Sequence, residues 1–130
     1  MSEPRTPRLS ASPVNPSILF IITGDPRQSP RPAEAIRIAA GVGAWKKADV
    51  SVYLRDAAVL ALSEYADDFV DEENYTRYFP IIGEFGRPIY VQRNAPLLAE
   101  IGQPSLRFTE ITDDELASLT ARHKYTARFD

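Results

Sequence analysis

The sequence predicts an α/β fold, a three-layer sandwich built on a mainly parallel sheet of about five strands. Two patterns predict it. Short continuous apolar runs, which are typical of strands buried on both faces, alternate with segments whose apolar residues recur at helical spacing. Strands and helices in that order form right-handed βαβ units. At 130 residues the chain has the length of one domain, so the expected topology is of the flavodoxin or Rossmann type.

The first half of the chain contains two predicted strands, each followed by a helix. The run SILFIITG (17–24) is the first strand, and Pro32 is placed to begin a helix over 33–48, where alanine and isoleucine recur at helical spacing. The second strand is DVSVYL (49–54). It leads into AAVLALSEYA (57–66), which is predicted to form the next helix.

The second half begins with an acidic, aromatic segment (67–86) that is predicted to be helical in two pieces, broken near Pro80. The stretch GRPIYVQRNAPLLAEIG (86–102) then holds the third strand, a polar loop and a short helix. The run SLRFTEI (105–111) is the fourth strand, and the tail KYTARFD (124–130) has enough β propensity for a fifth strand at the sheet edge.

The last helix carries the clearest local signal in the chain. Thr112 and Glu115 have the spacing of a capping box, and Ile111 and Leu116 have that of a hydrophobic staple. These pairs predict a helix that starts directly after the fourth strand and ends near Arg122.

Cysteine and histidine usage narrows the chemistry. The chain has no cysteine and one histidine, His123. The lack of cysteine excludes disulfides, thiolate catalysis and Cys-ligated metals, and one histidine disfavours zinc sites and Ser-His relays. His123 lies at the predicted end of the last helix, where a cation suits the helix dipole, so we expect a helix-end role. No metal and no cofactor are expected.

Charge and hydropathy exclude further classes of protein. The formal net charge is -3 and no basic run offsets it, so no nucleic-acid partner is expected. No apolar run reaches the roughly 18 residues of a membrane-spanning helix. Residues 1–16 contain four prolines and no apolar signal-peptide core, and are predicted to form a disordered arm. The expected organisation is this arm followed by a single cytoplasmic domain over 17–130.

The order of these motifs resembles a known family. In residues 18–62 an apolar strand is followed by a small-residue loop, an alanine-rich helix and a second strand leading to Asp56. The stretch 86–102 then repeats a strand and loop before Gly102. This pattern is similar to the DsrE/DsrF-like family, which includes the TusD-type sulfur carriers, over residues 17–130. The resemblance implies a DsrE-type topology and a homo-oligomer, a trimer or a multiple of it.

The resemblance also implies a lost function. Catalytic members of the family carry a persulfide on a cysteine after the third strand. That position is Gln92 when counted from the strand and Asn94 when counted back from Gly102, and the sequence leaves both registers open. An amide is not an activatable nucleophile. The chain is therefore identified as a cysteine-free member that is not a sulfurtransferase by itself and is similar to non-catalytic subunits of sulfur-relay assemblies.

The predicted strand ends indicate a ligand crevice, because ligands of doubly wound sheets collect outside the carboxyl ends of the strands. Six residues are expected to line it: Asp25, Arg27, Asp56, Gln92, Arg93 and Asn94. Arg93 is expected to face an anion. Local roles compete with this one, since Arg27 and Arg93 can point to solvent, Asp56 can cap the next helix, and Asn94 or Ala95 can cap the helix at Pro96.

The acidic segment 67–86 and the end of the predicted helix before it contain six aromatic residues, and these are expected to divide between the core and an oligomer interface. They are Tyr65, Phe69, Tyr75, Tyr78, Phe79 and Phe85. The carboxylates of the segment lack the spacing of an EF-hand loop, so a solvated acidic face is expected there and not a Ca²⁺ site.

Three functions are open at this point. The leading hypothesis is a non-catalytic oligomeric protein that binds a partner or small ligand. The second is a small enzyme or binding protein for a nucleotide-like or other anionic molecule, with Asp56 or His123 as acid or base. The third is an accessory subunit of a sulfurtransferase complex that works beside a cysteine-bearing paralogue.

Overall fold

A computed structural model describes residues 15–45 and 48–130 of the chain. The predicted disordered arm lies outside the described residues except for its last two positions. Within the described residues, five strands form one sheet in which every pairing is parallel, in the order β4-β3-β2-β1-β5. The strands are β1 (Ser17–Ile22), β2 (Asp49–Leu54), β3 (Ile89–Gln92), β4 (Phe108–Ile111) and β5 (Tyr125–Phe129).

Helices cover both faces of this sheet. The α-helices are α1 (Arg31–Ala44), α2 (Glu72–Gly83) and α3 (Asp113–Ala121), and the 3₁₀ helices are η1 (Asp56–Leu62) and η2 (Pro96–Glu100). From β1 to β4 the chain steps in one direction across the sheet, and right-handed crossovers place α1, η1, α2 and η2 on one face, the α1 face. From β4 it returns to β5 beyond β1, which places α3 on the opposite face, the α3 face. This arrangement confirms the predicted three-layer α/β sandwich.

The larger core lies on the α1 face. Helix α1 presents buried alanines and Ile36 to the sheet, so its backbone packs close to the strands. Most aromatic residues of the acidic segment join this core: Phe69, Tyr75 and Phe79 are buried, and Tyr78 and Phe85 pack against them. Tyr65 is 72% exposed. Core packing therefore accounts for five of the six rings, and Tyr65 is the one that a partner could cover.

The α3 face holds a smaller core. Its buried members are Leu19, Ile21, Tyr53, Ile111 and Leu119. Thr112 Oγ1 accepts a hydrogen bond from Glu115 N at 3.1 Å, and Glu115 Oε1 accepts one from Thr112 N at 2.8 Å. The predicted capping box is thus confirmed, and it starts α3 directly behind β4. Leu116 packs against the same cluster as Ile111, as the predicted staple requires.

Two predicted elements were wrong in detail. Residues 57–66 do not form one helix, because η1 ends at Leu62 and Ser63 is already extended. Residues 58–62 are all buried, so packing determines the conformation there. Helix α2 is not broken at Pro80 and runs through it. Pro80 is exposed, so water can hydrogen-bond the helix carbonyl that the proline nitrogen cannot serve.

None of the helices in the described part of the chain has both the length and the apolar character that crossing a membrane requires.

Candidate functional site

The candidate site is the carboxyl edge of the sheet, where β3 ends at Gln92 and the chain turns sharply. Asn94 has a φ of 63°, in the left-handed region that Asn tolerates better than most residues. Pro96 then begins η2, whose N-cap position is Ala95 without any side-chain cap. Arg93 N donates to Ile111 O at 3.0 Å, which continues the contact between β3 and β4 by one residue. Asn94 therefore serves the turn and does not cap η2.

The side chain of Gln92 is used inside the protein. It is half-buried, and its Oε1 accepts a hydrogen bond from the backbone N–H of Asp56 at 2.9 Å. That N–H belongs to the first residue of η1 and has no partner within the helix, because the first N–H groups of a helix point away from its carbonyls. The Gln92 amide thus ties the end of β3 to the beginning of η1 across the neighbouring strand end.

Asp56 itself does not cap η1, so the expected capping role was wrong. Its φ is 53° and its side chain is exposed. The N-terminus of η1 has no side-chain cap, and Gln92 supplies an acceptor from another strand in its place.

Asp25 and Arg27 pair with each other at the end of β1. Arg27 Nη2 lies 2.9 Å from Asp25 Oδ2, Arg27 Nε lies 3.1 Å from Oδ1, and the backbone N–H of Arg27 also donates to Oδ1. The hydrogen bond from the Arg27 side chain holds the pKa of the Asp25 carboxyl below its ordinary value. The two charges offset each other, so this loop offers a ligand a neutral pair.

Arg93 is exposed. The pKa of the Glu115 carboxyl is lowered, first by its hydrogen bonds with Thr112, with a smaller contribution from the nearby Arg93 charge. Arg93 and Glu115 therefore border the same part of the edge.

The structure brings the six predicted residues together only in part. Asp56 contacts Gln92, and Arg93 and Asn94 follow Gln92 directly. Within the described residues, no hydrogen bond or ion pair joins Asp25 or Arg27 to the other four.

The sheet order shows where this edge opens. Ligand crevices form where adjacent strands send their connections to opposite faces. Strands β1, β2 and β3 all lead to helices on the α1 face, whereas β4 leads to α3 on the other face. The connections thus diverge between β3 and β4. Gln92, Arg93 and Asn94 border this opening together with Thr112 and Glu115, and the loop after β1 lies away from it.

His123 does not reach this edge. It follows α3 at the opposite end from Thr112, and its Nδ1–H donates to Leu119 O at 2.7 Å. This contact is the expected helix-end role, and it places the imidazole too far from the β3–β4 opening to act there as an acid or base.

The sequence reasoning missed Arg55, which follows β2. Arg55 Nη1 donates to the Tyr53 hydroxyl at 3.1 Å and to Asp113 Oδ1 at 2.9 Å, so it fastens the end of β2 to the first turn of α3. Burial raises the pKa of Tyr53. The sequence did contain a signal for this contact, because side chains alternate between the two faces of a strand. Arg55 is two residues after Tyr53 and so lies on the same face as Tyr53 and Ile21.

Beside Arg55 lies a shallow depression of about 480 Å³ on the α3 face. It is lined by Ile21, Arg55, Asp113, Leu116, Ala117, Thr120 and Arg128. Arg55 is paired with Asp113 there, and the Arg128 guanidinium adds a second cation beside this pair, so the depression is able to accept a small anion.

A second cavity of about 200 Å³ lies between α2 and the segments that follow η1 and η2. Its lining is mostly apolar and includes Tyr75, Phe79 and Leu106. The Tyr75 hydroxyl is buried and no hydrogen-bond partner for it lies among the described residues. Burial, with the charges of Asp71 and Asp25, raises the Tyr75 pKa. Within the described residues, no three His, Asp or Glu side chains cluster closely enough to hold a metal ion.

Comparison with known proteins supports the fold. No family model matches the chain, and no curated protein matches it. The crystal structure of the ychN protein from E.coli is similar, with a TM-score of 0.69 over 88% of this chain and 99% of that one, at 18% sequence identity. At this identity the likeness concerns the fold alone. Together with the all-parallel five-stranded sheet, it assigns the chain a DsrE-like fold.

Proposed function

We propose that this chain is a non-catalytic DsrE-like protein, an oligomeric binding or accessory subunit without the sulfur-carrying cysteine of the DsrE/DsrF-like family. The observation that carries the proposal is the hydrogen bond from the Asp56 N–H to Gln92 Oε1. Gln92 is one of the two positions that correspond to the family's thiol. Its side chain supports the start of η1, which is a structural task that a thiol performs poorly because sulfur is a weak acceptor.

The second position, Asn94, supports the same interpretation. It is exposed, with its backbone in the left-handed region. Neither amide ionises to a nucleophile near neutral pH, so neither forms a persulfide. The group available for binding at the β3–β4 opening is Arg93, whose planar guanidinium suits a carboxylate or phosphate. We therefore assign Arg93 to contact an anionic ligand or an acidic partner surface.

The decisive experiment asks whether the chain holds sulfur covalently. We expect the wild-type protein to retain no label after incubation with a cysteine desulfurase and radiolabelled cysteine, followed by denaturation. The variants Gln92→Cys and Asn94→Cys restore a thiol at each register, and one of them is expected to accept label. Gln103→Cys, at an exposed position in the loop after η2, is the matched control.

The outcomes separate the parts of the proposal. Label on the wild-type chain contradicts a non-catalytic role. Equal labelling of all three cysteine variants contradicts the equivalence between the end of β3 and the family's persulfide position, since an unspecific thiol would then explain the reaction.

A second candidate function is the binding of a small anion, and the depression between Arg55 and Arg128 favours it. Inorganic phosphate is the first probe. We expect it to raise the melting temperature of the wild-type protein and to have a smaller effect on Arg128→Ala. An equal shift in both proteins contradicts a role for this depression, because phosphate then acts elsewhere.

A further inference from the structure

We propose that two copies of this chain join through β5, which pairs antiparallel with the partner's β5 about a two-fold axis at Ala127. The proposal deepens the oligomeric part of the proposed function by naming the surface, and it is independent of the sulfur chemistry. A two-fold contact of this kind gives a dimer, or a hexamer where it joins two trimers.

The first observation is that β5 is an edge strand with a defined set of outward backbone groups. Among the described strands it pairs with β1 alone. Thr23 N donates to Phe129 O at 3.0 Å, so the backbone N–H and C=O groups of Phe129 face β1. The backbone groups of Ala127 and Tyr125, two and four residues earlier, face β1 as well. The N–H and C=O groups of Thr126 and Arg128 therefore point away from the sheet, where another strand can bond to them.

The second observation is that these outward groups permit an antiparallel register centred on Ala127. With Ala127 opposite the partner's Ala127, Thr126 lies opposite the partner's Arg128. Both residues carry outward groups, so they form a hydrogen-bonded pair on each side of the axis. A slip by one residue sets an outward residue against an inward one and loses these bonds.

The third observation is that side-chain chemistry favours this register over its neighbours. Lys124 and Asp130 flank β5, so this register brings Lys124 near the partner's Asp130, and opposite charges on neighbouring strands are stabilising. A shift of the axis to Thr126 sets Lys124 against the partner's Arg128, and a shift to Arg128 sets two arginines against each other. The cations that commonly protect an edge strand thus block the shifted pairings and permit the one centred on Ala127.

The fourth observation is the exposed ring of Tyr125. It is 52% exposed, on the α1 face of the strand. In the proposed register it lies beside the partner's Phe129, in a non-hydrogen-bonded pair, where side chains approach most closely. Phe129 already stacks on Phe20 at 5.9 Å and lies under the Arg31 guanidinium at 5.4 Å. Tyr125 would extend this packed group and lose its contact with water.

The lack of cysteine makes the test direct. Ala127→Cys introduces one thiol per chain, and the two Cα atoms of a non-hydrogen-bonded pair lie about 4.5 Å apart. This distance is within the range that a disulfide spans. We expect mild oxidation to convert the full-length variant into a disulfide-linked dimer on non-reducing gels. Thr126→Cys is the control, because its copies lie about 7–8 Å apart on the diagonal, and we expect at least fivefold less cross-linking.

A second variant tests the backbone pairing without cysteine. Thr126→Pro removes an outward N–H that β1 does not use, so the single chain should fold. We expect it to raise the dissociation constant of the two-fold contact at least tenfold by analytical ultracentrifugation, with an unchanged circular dichroism spectrum.

Equal cross-linking of the Ala127→Cys and Thr126→Cys variants, or an unchanged dissociation constant for Thr126→Pro, overturns the proposal. A wild-type oligomer whose two cysteine variants both fail to cross-link keeps the oligomeric part of the proposed function and overturns this interface. Sulfur labelling of the wild-type chain overturns the non-catalytic role and leaves the β5 result unaffected.

Discussion

Replacement of Gln92 by alanine removes the acceptor that holds the first N–H of η1. The bond from Asp56 N is 2.9 Å long and joins two neutral groups. Such a bond contributes about 0.5–1.5 kcal/mol net, and a fully buried donor left alone costs more. Asp56 is exposed, so water can reach its N–H after the substitution. The cost of losing the bond should therefore lie near the middle of the net range of about 0.5–1.5 kcal/mol. We expect Gln92→Ala to reduce the free energy of unfolding by about 1 kcal/mol.

Urea unfolding followed by circular dichroism measures this change, and thermal unfolding gives a second reading. For a domain of this length, 1 kcal/mol corresponds to a fall of roughly 3–5 °C in melting temperature. Gln103→Ala is the matched control, because Gln103 is exposed and should change stability by less than about 0.5 kcal/mol. If the two variants unfold at the same urea concentration, the Gln92 amide does not support η1, and the central argument for a structural role at this strand end fails.

Three further predictions concern stability. A Cβ at Gly43 would overlap the Phe85 ring, so Gly43→Ala should cost about 1–3 kcal/mol, whereas Gly41→Ala in the same helix meets nothing within 4 Å and should be neutral or stabilising in parallel urea unfolding. Thr112→Ala removes the capping-box hydroxyl and should cost about 1 kcal/mol in the same assay, a loss that Thr112→Ser should largely avoid. The pKa of Asp25 is lowered in the folded protein, so its stabilising contribution is present at neutral pH and declines as the carboxyl becomes protonated in acid. The difference in free energy of unfolding between wild type and Asp25→Asn should therefore shrink below about pH 4. A difference that stays constant with pH would contradict the Asp25 pairing.

Local patterns in the sequence predicted the elements well, because each pattern is determined by neighbouring residues. The predicted second strand, 49–54, coincides with β2. The capping box at Thr112 and Glu115 formed as predicted, since both of its bonds lie within one turn of backbone. The prediction failed where tertiary packing decides the conformation. An apolar run such as 58–62, buried on every side, has no amphipathic face to specify an α-helix.

The site was less predictable, because its geometry depends on strand order. The contact between Gln92 and Asp56 joins residues 36 positions apart and exists because β2 and β3 are neighbours in the sheet. No local pattern marks such a pair. Strand order also determines that the connections diverge between β3 and β4. The Asp25–Arg27 pair follows β1 and is therefore separated from Arg93, which follows β3. Arg55 was predictable in principle, since its parity with Tyr53 directs it to the α3 face.

The proposed interface and the proposed binding edge are compatible because they lie on different parts of the sheet. Three strand spacings separate β5 from β3 in the order β4-β3-β2-β1-β5, which is about 14 Å at the usual distance between strands. Antiparallel pairing of β5 turns the two sheets head to tail, so the carboxyl edges of the two copies, each with its own Arg93, face in opposite directions. A two-fold dimer would thus present two separate β3–β4 openings and leave both accessible. It follows that Arg93→Ala should weaken the binding of an acidic partner without changing the β5 contact. Thr126→Pro should halve the number of partners bound per assembly without changing the affinity of each opening for its partner.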